Sequence, residues 1–155
     1  MCMEDMQLDI RLITLREIPE RCRVHHWDMM RYGGTPVEVH LSTDFRANKE
    51  AHMLPLTLGV HYSTLRSQIS RPLMDYELEA DFEILAAEEV AAIERGDLLV
   101  PTDLLALMLS IGIGAARGMI ALRAGNTFLR HYPLPIYDIP TLINNILAVG
   151  EDLAG

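Results

Sequence analysis

The run from Pro101 to Gly125, PTDLLALMLSIGIGAARGMIALRAG, limits what this chain can fold into more than any other stretch. Between Asp103 and Arg117 it carries no charge and a single hydroxyl, Ser110. Pro101 suits a first helical turn and Asp103 suits the positive end of a helix. Gly125, followed by Asn126, is a C-terminal stop. The stretch therefore predicts one long helix. Leu104, Leu105, Leu107, Met108, Leu109, Ile111 and Ile113 surround its cylinder almost completely, and a helix that is apolar on every side has to be buried on every side. A core built from 155 residues can cover one face. The other face then needs a second copy of the chain.

A bilayer is the rival cover, but a span takes about 18 consecutive apolar residues. Only thirteen lie between Asp103 and Arg117, so membrane insertion is not expected. Ser110, Gly114 and Gly118 fall four apart on one line of the helix and form a flat stripe that another helix can approach closely. Each interior glycine costs about 1 kcal/mol relative to alanine, which close packing would offset. Leu105, Met108, Leu109, Ser110, Gly114 and Gly118 are accordingly the predicted oligomer interface. Gly112-Ile113-Gly114 follows no strand and opens no helix, so it is not a phosphate-cradling loop.

Length predicts a single domain, residues 1–155, and half the residues are hydrophobic, too many for a disordered chain. The net charge of -9 disfavours nucleic acid and anionic membranes and favours basic partners. Cys2 and Cys22 have neither metal-ligand spacing nor a disulfide framework. The N-terminal MCMEDMQLDI is acidic and lacks an apolar signal-peptide core, which predicts a cytoplasmic location.

The chain before the helix reads as strands. Residues 7–15 form a first strand, and 16–36 an irregular segment holding Trp27, Met29, Met30 and Tyr32. So much apolar bulk in a loop is either a lid on the core or the wall of an adaptable hydrophobic groove. Residues 37–43 and 53–62 alternate as strands, and Pro55 marks the second of these as an edge or as bulged. A basic loop at 63–72 leads to the cleanest alternation, 74–84, with Asp75, Glu77, Glu79, Asp81 and Glu83 all on one side. That row of like charge is either a solvated face that blocks unwanted sheet pairing or a docking face for a basic partner. A short helix at 86–95 precedes the long one. Pro133 and Pro135 hold residues 126–137 extended, and Asp138 opens a last helix closed by Gly150. The expected class is α+β: a four-stranded antiparallel sheet, meander or Greek-key, with a long and a short C-terminal helix packed on one face.

Catalytic signals are absent. No nucleophile motif occurs, and carboxylates on a wet sheet face would not acquire the raised pKa that glycosidase chemistry needs. His25, His26, His40, His52, His61 and His131 lack the spacing of a zinc site, although His40 and His61 could face each other across strands. The expectation is a protein that is not an enzyme, with no catalytic residue, no metal and no cofactor.

Several short features, in order along nearly the whole chain, resemble the SecB family of protein-export chaperones. They are Trp27 followed by Pro36 before the second strand, Phe82-Glu83-Ile84 ending the acidic strand, and Leu99-Val100-Pro101 opening the long helix. Ala116-Arg117-Gly118 within that helix and Leu134-Pro135-Ile136 before the last one complete the set. The resemblance implies a homotetramer, a dimer of dimers with the long helices at the junction. It implies ATP-independent holding of unfolded polypeptides in apolar grooves, with delivery to the SecA motor through acidic residues of the sheet face, Glu77 and Glu79 here. Trp27, Met29, Met30, Tyr32, Phe128, Leu129 and Tyr132 are the candidate groove walls. Thr102 stands where the family carries an aromatic, and residues 150–155 hold no counterpart to its polar motor-binding tail. Solitary SecB-like proteins also guard toxin–antitoxin systems, so a role dedicated to one partner, such as an antitoxin, is the alternative.

Overall fold

Alternation builds the sheet. Strand β5 (Ile69–Ile84) places Met74, Tyr76, Leu78, Ala80, Phe82 and Ile84 on one face, all buried, and its five carboxylates on the other. The neighbouring β4 (Met53–Arg66) buries Leu54, Leu56, Leu58, Val60 and Tyr62 on the same side. With β1 (Ile10–Glu17), β2 (Arg23–Val24) and β3 (Val37–Phe45) they form one antiparallel sheet in the order β1-β5-β4-β3, in which β2 also pairs with β5. The meander β3-β4-β5 with β1 returning beside β5 is a Greek-key order. The computed structural model describes residues 10–25, 36–45, 53–66, 69–85 and 102–154. The expected helix at 86–95, the Leu99–Pro101 opening, and Trp27, Met29, Met30 and Tyr32 lie outside those ranges.

Two sequence expectations are corrected by the sheet. The strand containing Pro55 is central, between β3 and β5, and its irregularity falls at Tyr62/Ser63 rather than at the proline. Proline is tolerated because the described pairing with β3 stops at Phe45–Leu56, one residue short of it. The basic loop at 63–72 is mostly hairpin, with β4 running on to Arg66 and β5 starting at Ile69. The register shift lets the consecutive residues Leu73 and Met74 both turn inward, and Thr64 Oγ1, buried there, donates to the Pro36 carbonyl at 2.8 Å. In β1 the register shifts between Leu12 and Thr14, leaving Ile13 without a partner on β5 and exposed.

Helix α1 (Thr102–Arg123) lies on β4 and β5, and α2 (Ile139–Ala154) packs beside it. By length and composition alone α1 is apolar enough to cross a membrane, with mean hydropathy 1.8 in its most apolar window. Its buried stripe, Leu105, Met108, Leu109, Ile113, Ala116 and Ile120, is spent on this chain's own sheet. Gly112 is what allows the helix to seat, since a Cβ there would stand 2.8 Å from Leu58 Cδ1 and 3.0 Å from Leu56 Cδ2. The Asp138 carbonyl accepts from the Leu142 amide as α2 begins, and the helix passes through the expected stop at Gly150 to Ala154.

A polar tie joins the layers. Glu17, on the helix side of β1, takes a two-pronged ion pair from Arg123 in the last turn of α1 and accepts a 3.1 Å hydrogen bond from the Tyr76 hydroxyl. Arg123 holds the Glu17 carboxyl below its ordinary pKa against the opposing effect of burial, with Tyr76 helping. Burial, followed by the nearby Glu17, raises the Tyr76 phenol. The arginine is also well placed for the negative end of the helix.

Candidate functional site

The helical side of the sheet is an apolar layer on which α1 packs over β4 and β5. The interface residues expected on α1 divide between its two sides. Leu105, Met108 and Leu109 are buried in the chain's own core, so their side chains have no surface left for a neighbouring subunit. Ser110, Gly114 and Gly118 lie on the opposite, exposed face. A Cβ at Gly114 or Gly118 would meet nothing within 4 Å among the described residues, and Ser110 Oγ turns back to the Ala106 carbonyl at 2.8 Å. Leu122, on the same helix, is 85% exposed.

Beyond α1 the chain makes a short 3-10 turn, Phe128–His131, where an extended loop was expected. Thr127 caps it, its Oγ1 accepting from the Leu129 amide at 3.2 Å. Among the candidate groove walls, Leu129 is a buried core residue, whereas Phe128 and Tyr132 are half-buried and meet edge to face, centroids 6.1 Å apart. Arg117 fastens the proline-rich segment to α1 by donating to the carbonyls of Leu134 (3.0 Å) and Pro135 (2.8 Å). Leu134 is thereby set into the core, while Ile136 is left 93% exposed. Below this segment the phenol oxygens of Tyr62 and Tyr137 are buried and have no hydrogen-bond partner among the described residues. Burial pushes the Tyr62 hydroxyl up to about 12, assisted by Tyr137 and opposed by Arg117, and burial raises Tyr137 likewise.

Residues that the sequence reading left out belong to the same surface. Val37, Val39, Leu41 and Phe45 of the edge strand β3 face the helical side, yet remain only partly buried. Their alternation marks a core-facing stripe in sequence. That α1 sits over β4 and β5 instead is a matter of docking, and no local signal reports it. Ile136 could have been found, because a large apolar side chain between prolines and Tyr137 has no helical or strand period to bury it.

The outer sheet face carries the acidic residues expected to bind a partner, and the fold supplies each with a group from its own chain. Glu83 pairs with Arg11, Asp81 accepts from Thr14 Oγ1 at 2.6 Å, and Glu79 pairs with Arg16 at 3.0 Å. Glu77 stands 3.9 Å from Arg21. Asp75 is held between His25 and His61. Burial alone would raise the Asp75 carboxyl, but the hydrogen bonds from His61 and His25 bring it below its ordinary pKa. His40 and His61 are indeed cross-strand partners, although His61 turns to Asp75 and His40 lies 3.7 Å from Glu38. Among the described residues no group of three or more His, Cys, Asp or Glu side chains is placed to hold a metal ion. An open trough of about 600 Å³ crosses this face between the 3-10 turn Pro19–Arg21 with β2 and strand β3.

The chain is similar to a solved structure. That structure is of a SecB-like chaperone from Mycobacterium tuberculosis, solved in complex with a ChAD peptide from the HigA1 antitoxin, 16% identical, with a TM-score of 0.39 over 84% of this chain and 88% of that one. No family model and no curated protein matches the sequence.

Proposed function

We propose that this protein is a non-enzymatic polypeptide-binding chaperone, an ATP-independent holdase of SecB-like design acting in the cytoplasm as a homo-oligomer. The observation that carries the reading is the unfinished apolar layer. Among the described residues, the β3 stripe and the Phe128–Tyr132 rim are only partly buried, and Ile136 and Leu122 of α1 stand exposed. An unfolded segment offers complementary side chains, and burial yields about 25 cal/mol per Å². Several weak contacts on one chain then raise avidity without any strong site. In this reading the Ser110–Gly114–Gly118 stripe receives a second copy, and the groove beside β3 receives the client. Handing clients to SecA through Glu77 and Glu79 would require a basic partner to displace Arg21 and Arg16, so holding comes before delivery in the proposal.

The test is suppression of aggregation for several unrelated unfolded clients. Ile136→Asp, at a fully solvated position, is expected to weaken holding about tenfold, the worth of one buried isoleucine, with no change in melting temperature. Holding of a single client alone would support the partner-dedicated alternative. Holding of none would overturn the proposal.

A further inference from the structure

The trough on the outer face takes no part in holding clients, yet three strands converge on one carboxylate within it. We propose that His25, His61 and Asp75 form a pH-dependent fastening that ties β2 to the sheet more tightly in mildly acid than in mildly alkaline conditions.

β2 is two residues long and pairs only Arg23 with Asp75 and Val24 with Met74. The backbone adds His25 N–H to the Leu73 carbonyl and Ile18 N–H to the Glu77 carbonyl, both at 3.0 Å. With so short a ladder, side-chain bonds weigh heavily. Asp75 receives His25 Nε2 at 3.3 Å from the strap and His61 Nδ1 from β4. Imidazole is the side chain that changes charge between about pH 5 and 8, and a charge-assisted hydrogen bond is roughly twice as strong as a neutral one. Each proton gained therefore strengthens the hold on Asp75.

Charged groups of the described neighbouring elements face this cluster. The turn and β2 bring Glu20, Arg21 and Arg23, β3 brings His40 beside Glu38, and β5 adds Glu77 to Asp75. Cys22 is engaged with the Glu77 carbonyl. Among the described residues, two arginines thus face four carboxylates. Because the Asp75 pKa is depressed, its own contribution fades only as pH falls through that lowered value, beneath the range in which imidazole titrates. The imidazoles therefore carry the change.

Amide hydrogen exchange on the full chain tests this without any client, so its outcome is independent of the holdase reading. Corrected for intrinsic rates, protection of the His25 amide should fall about tenfold between about pH 6 and pH 8, while Leu78, in the centre of β5, stays constant. In Asp75→Asn the fall should vanish. Equal protection of His25 at both pH values in the unaltered protein, or the same fall in Asp75→Asn, overturns the proposal. Should that variant not fold, His61→Gln serves: a reduced fall supports the fastening and an undiminished one overturns it.

Discussion

Three glycines lie on one helix within seven residues, and the fold gives them opposite roles that alanine can separate. All three have ordinary negative φ, so none needs glycine for its backbone. Removing an interior glycine gains about 1 kcal/mol of helix propensity. At Gly114 and Gly118 the added methyl meets nothing within 4 Å among the described residues, so in a single chain the gain is uncompensated. The double variant should gain about 2 kcal/mol, or a melting temperature about 4–8 °C higher for a chain of this length. At Gly112 the methyl enters the space of Leu58 Cδ1 and Leu56 Cδ2. Overpacking costs about 1–3 kcal/mol, so Gly112→Ala should be neutral to about 2 kcal/mol destabilising once the propensity gain is subtracted. Thermal melts of the three variants, paired with sedimentation velocity, complete the test. If the stripe seats a second copy, Gly114→Ala and Gly118→Ala shift the protein toward smaller species while stabilising the single chain. Were both to destabilise the single chain as much as Gly112→Ala does, the assignment of the open face would be refuted.

The tie between the layers predicts that Glu17→Gln costs about 1 kcal/mol near neutral pH, the upper end for a partly exposed ion pair. Since the Glu17 pKa is depressed in the folded state, that stabilisation is present above the unfolded carboxyl value and disappears as pH falls through the folded one. Urea melts of the two proteins should therefore converge in acid, and a constant gap would refute the ion-pair account. Tyr62→Phe removes a buried hydroxyl that has no partner among the described residues and should stabilise by about 1 kcal/mol, read by urea unfolding, whereas a loss would mean that the hydroxyl is satisfied. In an ultraviolet titration of the unaltered protein, Tyr62 should ionise only near about 12, and its step should be missing from Tyr62→Phe.

How much could be read in advance depends on the range of the forces involved. The alternation in 74–84 and 37–43 made visible which side of each strand is wet, because backbone geometry sends successive side chains to opposite faces whatever the neighbours are. The unbroken apolar run of α1 likewise announced a helix in need of cover. Neither pattern says which strand lies beside which. Pro55 was misjudged for that reason: its tolerance depends on where β3 stops, which is a property of the pairing. The five carboxylates looked uncompensated because Arg11 and Arg16 sit more than sixty residues away in sequence and become neighbours only when β1 returns to β5.

For this protein, then, local periodicity determined the elements, their faces and the α+β order, all of which follow from the chain's own dihedral geometry. The division of α1 into a stripe committed to the sheet and a stripe left open was decided by tertiary structure. So were the half-covered flank of β3 and the meeting of His25 and His61 on Asp75. Each depends on where an element docks, and docking is set by volumes and charges that the sequence holds far apart.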